Sequence, residues 1–160
     1  MTRAFPEALE FATGEYGPLL ERMAALAATG KGWVNIRPVI AREDEPEPPG
    51  PLSIFGGAAH KVPTITWMPG KHGADGVARP TTVGLQQSSG PRVVARLRDL
   101  GLPMPDGWKV TQDHPRRGLV AKVPAGDPDE PALAWLIRAA TVVCAVPTTG
   151  RWAASVHPGS

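Results

Sequence analysis

Residues 81–123 read TTVGLQQSSGPRVVARLRDLGLPMPDGWKVTQDHPRRGLVAKV, and the fold turns on how this run is divided. Thr81 to Gln86 has the β-branched character of a short strand. Ser88-Ser89-Gly90-Pro91 can cap a helix, and Arg92 to Leu100 places Val93, Val94, Leu97 and Leu100 on one side of it, with Gly101 as its stop. Trp108 to Gln112 and Gly118 to Val123 are alternating runs. Asp113-His114-Pro115-Arg116-Arg117 joins them as a hairpin with a basic tip.

Toward the C-terminus, Asp127-Pro128-Asp129-Glu130 predicts a helix start with an acidic cap, proline in the first turn and a glutamate completing a capping box. The helix is expected from Asp129 to about Ala145, ahead of Pro147, with Leu133, Leu136, Ile137, Ala140, Val143 and Cys144 as its core stripe. Arg151 to Val156 can form a last strand. The order from residue 81 to 157 is therefore β-α-β-β-α-β, which resembles the ferredoxin-like topology. The expected fold class is α+β: a four-stranded antiparallel sheet covered on one face by two helices, with an N-terminal helix-strand extension.

Toward the N-terminus, Val62 to Met68 is strand-like and the PGKHGADG of Pro69 to Gly76 reads as a loop. Glu43 to Pro51 reads EDEPEPPGP, four acids and four prolines in nine positions, which continues neither a helix nor a central strand. The expected organisation is a helix-strand segment over 1–42 packing on the core, an acidic Pro/Gly-rich linker over 43–61, and an α+β domain over 62–160. Within the first segment, Leu19 to Ala28 has a helical stripe. Trp33 to Ile40 (WVNIRPVI) is β-like, and Pro38 predicts an edge or bulged strand.

Composition narrows the function classes without choosing one. Gly 18 and Pro 19 among 160 residues predict a folded core with much irregular connection. Met1 to Ala12 carries Glu7 and Glu10, unlike a cleaved secretory signal. Ala132 to Pro147, the longest apolar stretch, is interrupted by Arg138 and shorter than the ~20 residues of a membrane span, so no membrane partner is expected. A lone cysteine, Cys144, excludes an intrachain disulfide, and a cytoplasmic location is the expectation. Charge is uneven: residues 1–50 hold five basic and eight acidic side chains, and residues 51–126 hold ten and four.

Three functional readings follow. The leading one is an interaction or regulatory module that contacts an acidic protein or a nucleic acid through Arg92, Arg96, His114, Arg116 and Arg117. The second is a small enzyme with Asp113 and His114 as an acid-base pair beneath the Pro69 to Gly76 loop. The third is an assembly protein, a homodimer for example, self-associating through Trp135 and Val142. Those two residues fall opposite the core stripe beside Arg138 and Ala139, where the N-terminal helix is the alternative cover. RNA binding on an open sheet face finds few candidate aromatics, because Trp108 and Trp152 suit a core equally well. No metal and no cofactor are expected: His60, His72, His114 and His157 lack ligand spacing, Gly70-Lys71-His72 lacks the phosphate-loop pattern, and Phe55-Gly56-Gly57 lacks dinucleotide spacing.

Overall fold

The structure is a computed structural model that describes residues 5–45, 62–87 and 92–160. The Ser88–Pro91 cap, Phe55-Gly56-Gly57, His60 and all of the expected linker beyond residue 45 lie outside the described residues. The elements are β1 (Glu7–Ala12), α1 (Gly17–Thr29), β2 (Trp33–Pro38), β3 (Thr64–Met68), β4 (Thr81–Gln86), α2 (Val93–Asp99), β5 (Lys109–His114), β6 (Gly118–Val123), α3 (Asp129–Val143) and β7 (Arg151–His157).

All seven strands among the described residues form one sheet in the order β1-β7-β2-β3-β4-β6-β5, with every neighbouring pair antiparallel. The four-stranded ferredoxin-like sheet is therefore not formed. That topology would seat the last strand beside β4, whereas β2 and β3 stand between β4 and β7, and β1 lies beyond β7. Alternation within a strand states which side chains are buried but not which strand lies alongside, so the pattern from residue 81 onward could not reveal the intervening pair.

The helices all cover one face. Strand residues Val34, Ile36, Ile65, Trp67, Val83, Leu85, Leu119, Ala121, Trp152, Ala154 and Val156 are buried against Leu19, Met23 and Leu26 of α1, Val93 and Leu97 of α2, and the α3 stripe. Helix α3 lies over β3 and touches both other helices. This central place explains why Ala139, on the outward side by periodicity, is buried.

Several local expectations are corrected by tertiary context. Strand β2 is internal, paired with β7 through Pro38 but with β3 only from Val34 to Ile36. Its proline thus sits where the ladder to β3 has already ended, and the missing N–H leaves that ladder intact. Strand β1, with Leu9 and Phe11 alternating toward the helices, has no counterpart in the sequence reading. Its Glu7 accepts two hydrogen bonds from the Arg22 guanidinium, at 2.8 and 2.9 Å, which hold this carboxylate below its usual pKa and tie the edge of the sheet to α1.

Leu100 was expected on the α2 core stripe but is 53% exposed. Gly101, at φ +81°, turns the chain just beyond the helix, and Leu102 is buried instead, donating its N–H to the Leu97 carbonyl. Trp135 is covered by the α2–β5 connection, not by α1: its indole N–H donates to the Pro103 carbonyl at 3.1 Å, and its ring meets Trp108 edge-on at 5.1 Å.

The capping box of α3 is likewise absent. Pro128 is the N-cap, and no side chain caps the helix. Asp129 instead accepts from the indole N–H of buried Trp67 at 3.3 Å, and partial burial raises its pKa above the ordinary carboxylate value, with the Trp67 bond opposing. A raised carboxylate pKa means that the folded state favours the proton. The associated stability is complete below the unfolded pKa and is lost as pH rises through the folded one.

Asp129→Ala is expected to cost about 1–3 kcal/mol by orphaning the Trp67 N–H. Asp129→Asn, which keeps an acceptor, should cost less, and its stability relative to the parent should improve as pH rises through the carboxylate range. Urea unfolding of the three proteins at a series of pH values checks this. Equal losses for Ala and Asn would contradict it.

The uncovered face of the sheet

Among the described residues all three α-helices lie on one side and no helix or strand covers the other, which presents a second set of side chains arranged by register into cross-strand rows. One row runs His157, Trp33, Met68, Thr82, Lys122, Lys109 from β7 to β5, its step from Trp33 to Met68 continuing the β2–β3 register one residue past the paired segment. The next runs Ala8, Ser155, Asn35, Thr66, Gly84, Val120, Gln112. A third holds Glu10, Ala153, Arg37, Thr64 and Gln86 and ends at the pair Gly118 and His114, with the steps Arg37 to Thr64 and Gln86 to Gly118 each one residue past the paired segments. Neighbouring strands are about 4.8 Å apart, so each row spans more than 20 Å.

The middle row is short and mostly uncharged, flanked by longer side chains. On the strands of this face the cations are Arg37, Lys109, Lys122 and Arg151, and the acid is Glu10, paired with Arg151 at 3.5 Å. Lys122 donates to the Thr82 hydroxyl at 2.6 Å, and Asn35 accepts from Thr66 at 3.1 Å. Trp33 lies flat on His157, ring centroids 4.7 Å apart and planes 7° from parallel, and remains 41% exposed.

Two depressions open here. One, of about 290 Å3, is centred on Gly84 and bordered by Thr66, Met68, Gln86, Val120 and Arg117. A Cβ at Gly84 would meet only ordinary contacts, 3.5 Å from the Leu119 carbonyl oxygen and 3.8 Å from the Thr66 Cβ. Packing does not require the glycine, and glycine weakens a strand interior. The other, of about 580 Å3, lies at the end of the sheet between Trp33, Met68 and the loops carrying Lys31, Lys71 and His72.

The residues singled out from sequence are distributed differently. Asp113 and His114 point to opposite sides of β5 and make separate bonds. The Asp113 carboxylate accepts the Val93 N–H at 3.0 Å, supplying the cap that α2 lacks from its own N-cap residue. The His114 Nδ1 accepts the N–H groups of Arg116 and Arg117 at 3.1 and 3.2 Å, which closes the hairpin turn and places any proton of the neutral ring on Nε2.

Arg96 is engaged inside the fold, donating to the Gln87 side-chain oxygen at 2.9 Å. Gln87 is only 2% exposed and donates in turn to the Val143 carbonyl. Arg92, Arg116 and Arg117 are exposed, with Arg117 bordering the Gly84 depression. Trp135 is tied to Pro103 and Trp108 as described, and Val142 is exposed.

Sequence reasoning missed Trp33, Arg37, Lys109, Lys122 and Arg151 as members of one surface. The available signal was parity: in WVNIRP the buried Val34 and Ile36 force Trp33, Asn35 and Arg37 to the other side. Among the described residues no group of three or more His, Cys, Asp or Glu could hold a metal ion, and no helix is long and apolar enough to cross a membrane. No protein-family model, curated protein or solved structure matches the chain.

Gly84→Ala should stabilise the protein by about 0.5–1 kcal/mol, because the methyl fits and removes the conformational freedom of glycine from a strand interior. Asp113→Ala should destabilise it by about 0.5–2 kcal/mol through loss of the α2 cap. Denaturant titrations measure both, and destabilisation by Gly84→Ala would show that the depression is a packing necessity.

Proposed function

We propose that this protein is a binding module that takes an extended anionic polymer, single-stranded nucleic acid by preference, on the uncovered face of its sheet, with the Arg116-Arg117 hairpin tip extending the same surface. The observation that carries this reading is the charge of that face: four strand cations against one acid, which pairs with one of them and leaves Arg37, Lys109 and Lys122 in excess. Such an excess lowers the free energy of a polyanion through counterion release.

Single-stranded nucleic acid suits the surface better than an acidic peptide because it offers flat rings as well as phosphates. Trp33, held flat by His157 and partly exposed, is the kind of platform on which a base stacks with little ordering cost. Binding is favoured over acid-base catalysis because Asp113 and His114 are each committed to a backbone bond that builds the fold.

A fluorescently labelled single-stranded oligonucleotide, titrated at several salt concentrations, tests the reading. Affinity should fall steeply with salt, with the logarithmic slope reduced by about 0.7 for each phosphate contact removed. The Arg116→Ala, Arg117→Ala double variant and the Arg37→Ala, Lys122→Ala double variant should each bind several-fold more weakly. Affinity indifferent to salt and to both variants would defeat the proposal, and binding of poly-glutamate with none of the oligonucleotide would defeat its nucleic-acid part.

A further inference from the structure

We infer that the cavity at the end of the sheet, between Trp33 and the Lys31 and Lys71 loops, is a nucleotide pocket: the base lies against the indole of Trp33, and the phosphate is held by the two lysines. The inference deepens the open-face reading and rests on it for the path of the remaining polymer, since Trp33 and Met68 belong both to the cavity and to the first cross-strand row.

Size, walls and charge agree. A volume of about 580 Å3 lies within the roughly 300–1,000 Å3 typical of small-molecule sites. The apolar walls are Trp33, Met68 and Pro69, and the charged side chains at the rim are Lys31, Lys71 and the ionisable His72. No aspartate or glutamate lines it, although Ser160 does, with its backbone oxygen accepting from Lys31. One face of the indole is already covered by His157 in a parallel stack, so the ring is oriented before a ligand arrives, which lowers the ordering cost of stacking a base on it.

The loops that close the pocket are tied down as well. His72 donates from Nε2 to the Ala27 carbonyl at 3.0 Å, pinning its loop to the last turn of α1. The same loop is closed by the His72–Ala78 bridge and the Asp75–Arg79 ion pair at 3.2 Å. Between the pinned helix end and β2 stands Gly32 at φ +90°, where a Cβ would lie 2.4 Å from the His157 carbonyl oxygen. The chain can pass this close to the Trp33 and His157 pair only with glycine there. Lys31 donates to the Ser160 carbonyl at 3.1 Å, and Lys71 is exposed at the rim.

Adenosine 5′-monophosphate, adenosine and inorganic phosphate, each titrated calorimetrically into the whole chain, test the pocket. The nucleotide should bind at least about tenfold more tightly than either fragment, because it uses both the ring wall and the cations. Trp33→Ala should weaken the nucleotide about tenfold and Lys71→Ala about fivefold, while Trp33→Phe, which keeps an aromatic wall, should remain within about threefold. Thermal unfolding of each variant confirms that it is folded. Nucleotide affinity unchanged in both Trp33→Ala and Lys71→Ala, or no nucleotide binding by a chain that still takes the oligonucleotide, overturns the pocket and leaves the open-face reading in place. A chain that binds the nucleotide in this mutant-sensitive way but no oligonucleotide supports the pocket and overturns the open-face reading.

Discussion

The constraint on which the rest depends is the one-sided covering of the sheet. Helices α1 and α2 each return the chain to a strand two positions away, skipping β7 and β6 respectively, and α3 carries it from β6 across β4, β3 and β2 to β7. Since all three pack on the same face, every strand must divide its side chains between a dry side and a side that no described helix covers. The tryptophans sort accordingly. Trp67 and Trp152 are in the core, Trp33 is on the open side, and Trp108 and Trp135 close the margin of the helical layer.

The polar groups singled out in the sequence as reactive are largely consumed by construction. Asp113 caps a short helix from a neighbouring strand, His114 closes a turn, and Arg96 orients the amide of Gln87 beneath the end of α3. Asp129 satisfies an indole N–H that would otherwise be buried without an acceptor. Each of these bonds joins elements distant in the chain, so their partners follow from topology rather than spacing.

What is left on the open face is chemically uniform by comparison: hydroxyls, amides, small side chains and a surplus of cations, with one stacked aromatic pair at the end of the sheet. A surface of this kind binds by charge and stacking, and it needs no perturbed acid or base to do so. The basic hairpin belongs to it because β5 and β6 form one end of the sheet and Arg117 reaches the Gly84 depression.

The sequence by itself determined the local elements from residue 81 onward, the basic hairpin tip and the stripe of α3 from Leu133 to Val143, because these depend on side chains close together in the chain. Only the tertiary structure decided that β2 and β3 separate β7 from β4, that β1 exists as an edge strand, that the α2–β5 connection covers Trp135, and that Trp33 shares a face with Lys122. Strand neighbours are chosen by backbone hydrogen bonds that any non-proline residue can make. The backbone ladder therefore leaves little trace in residue identity, and the surface it assembles becomes visible only when the strands are laid side by side.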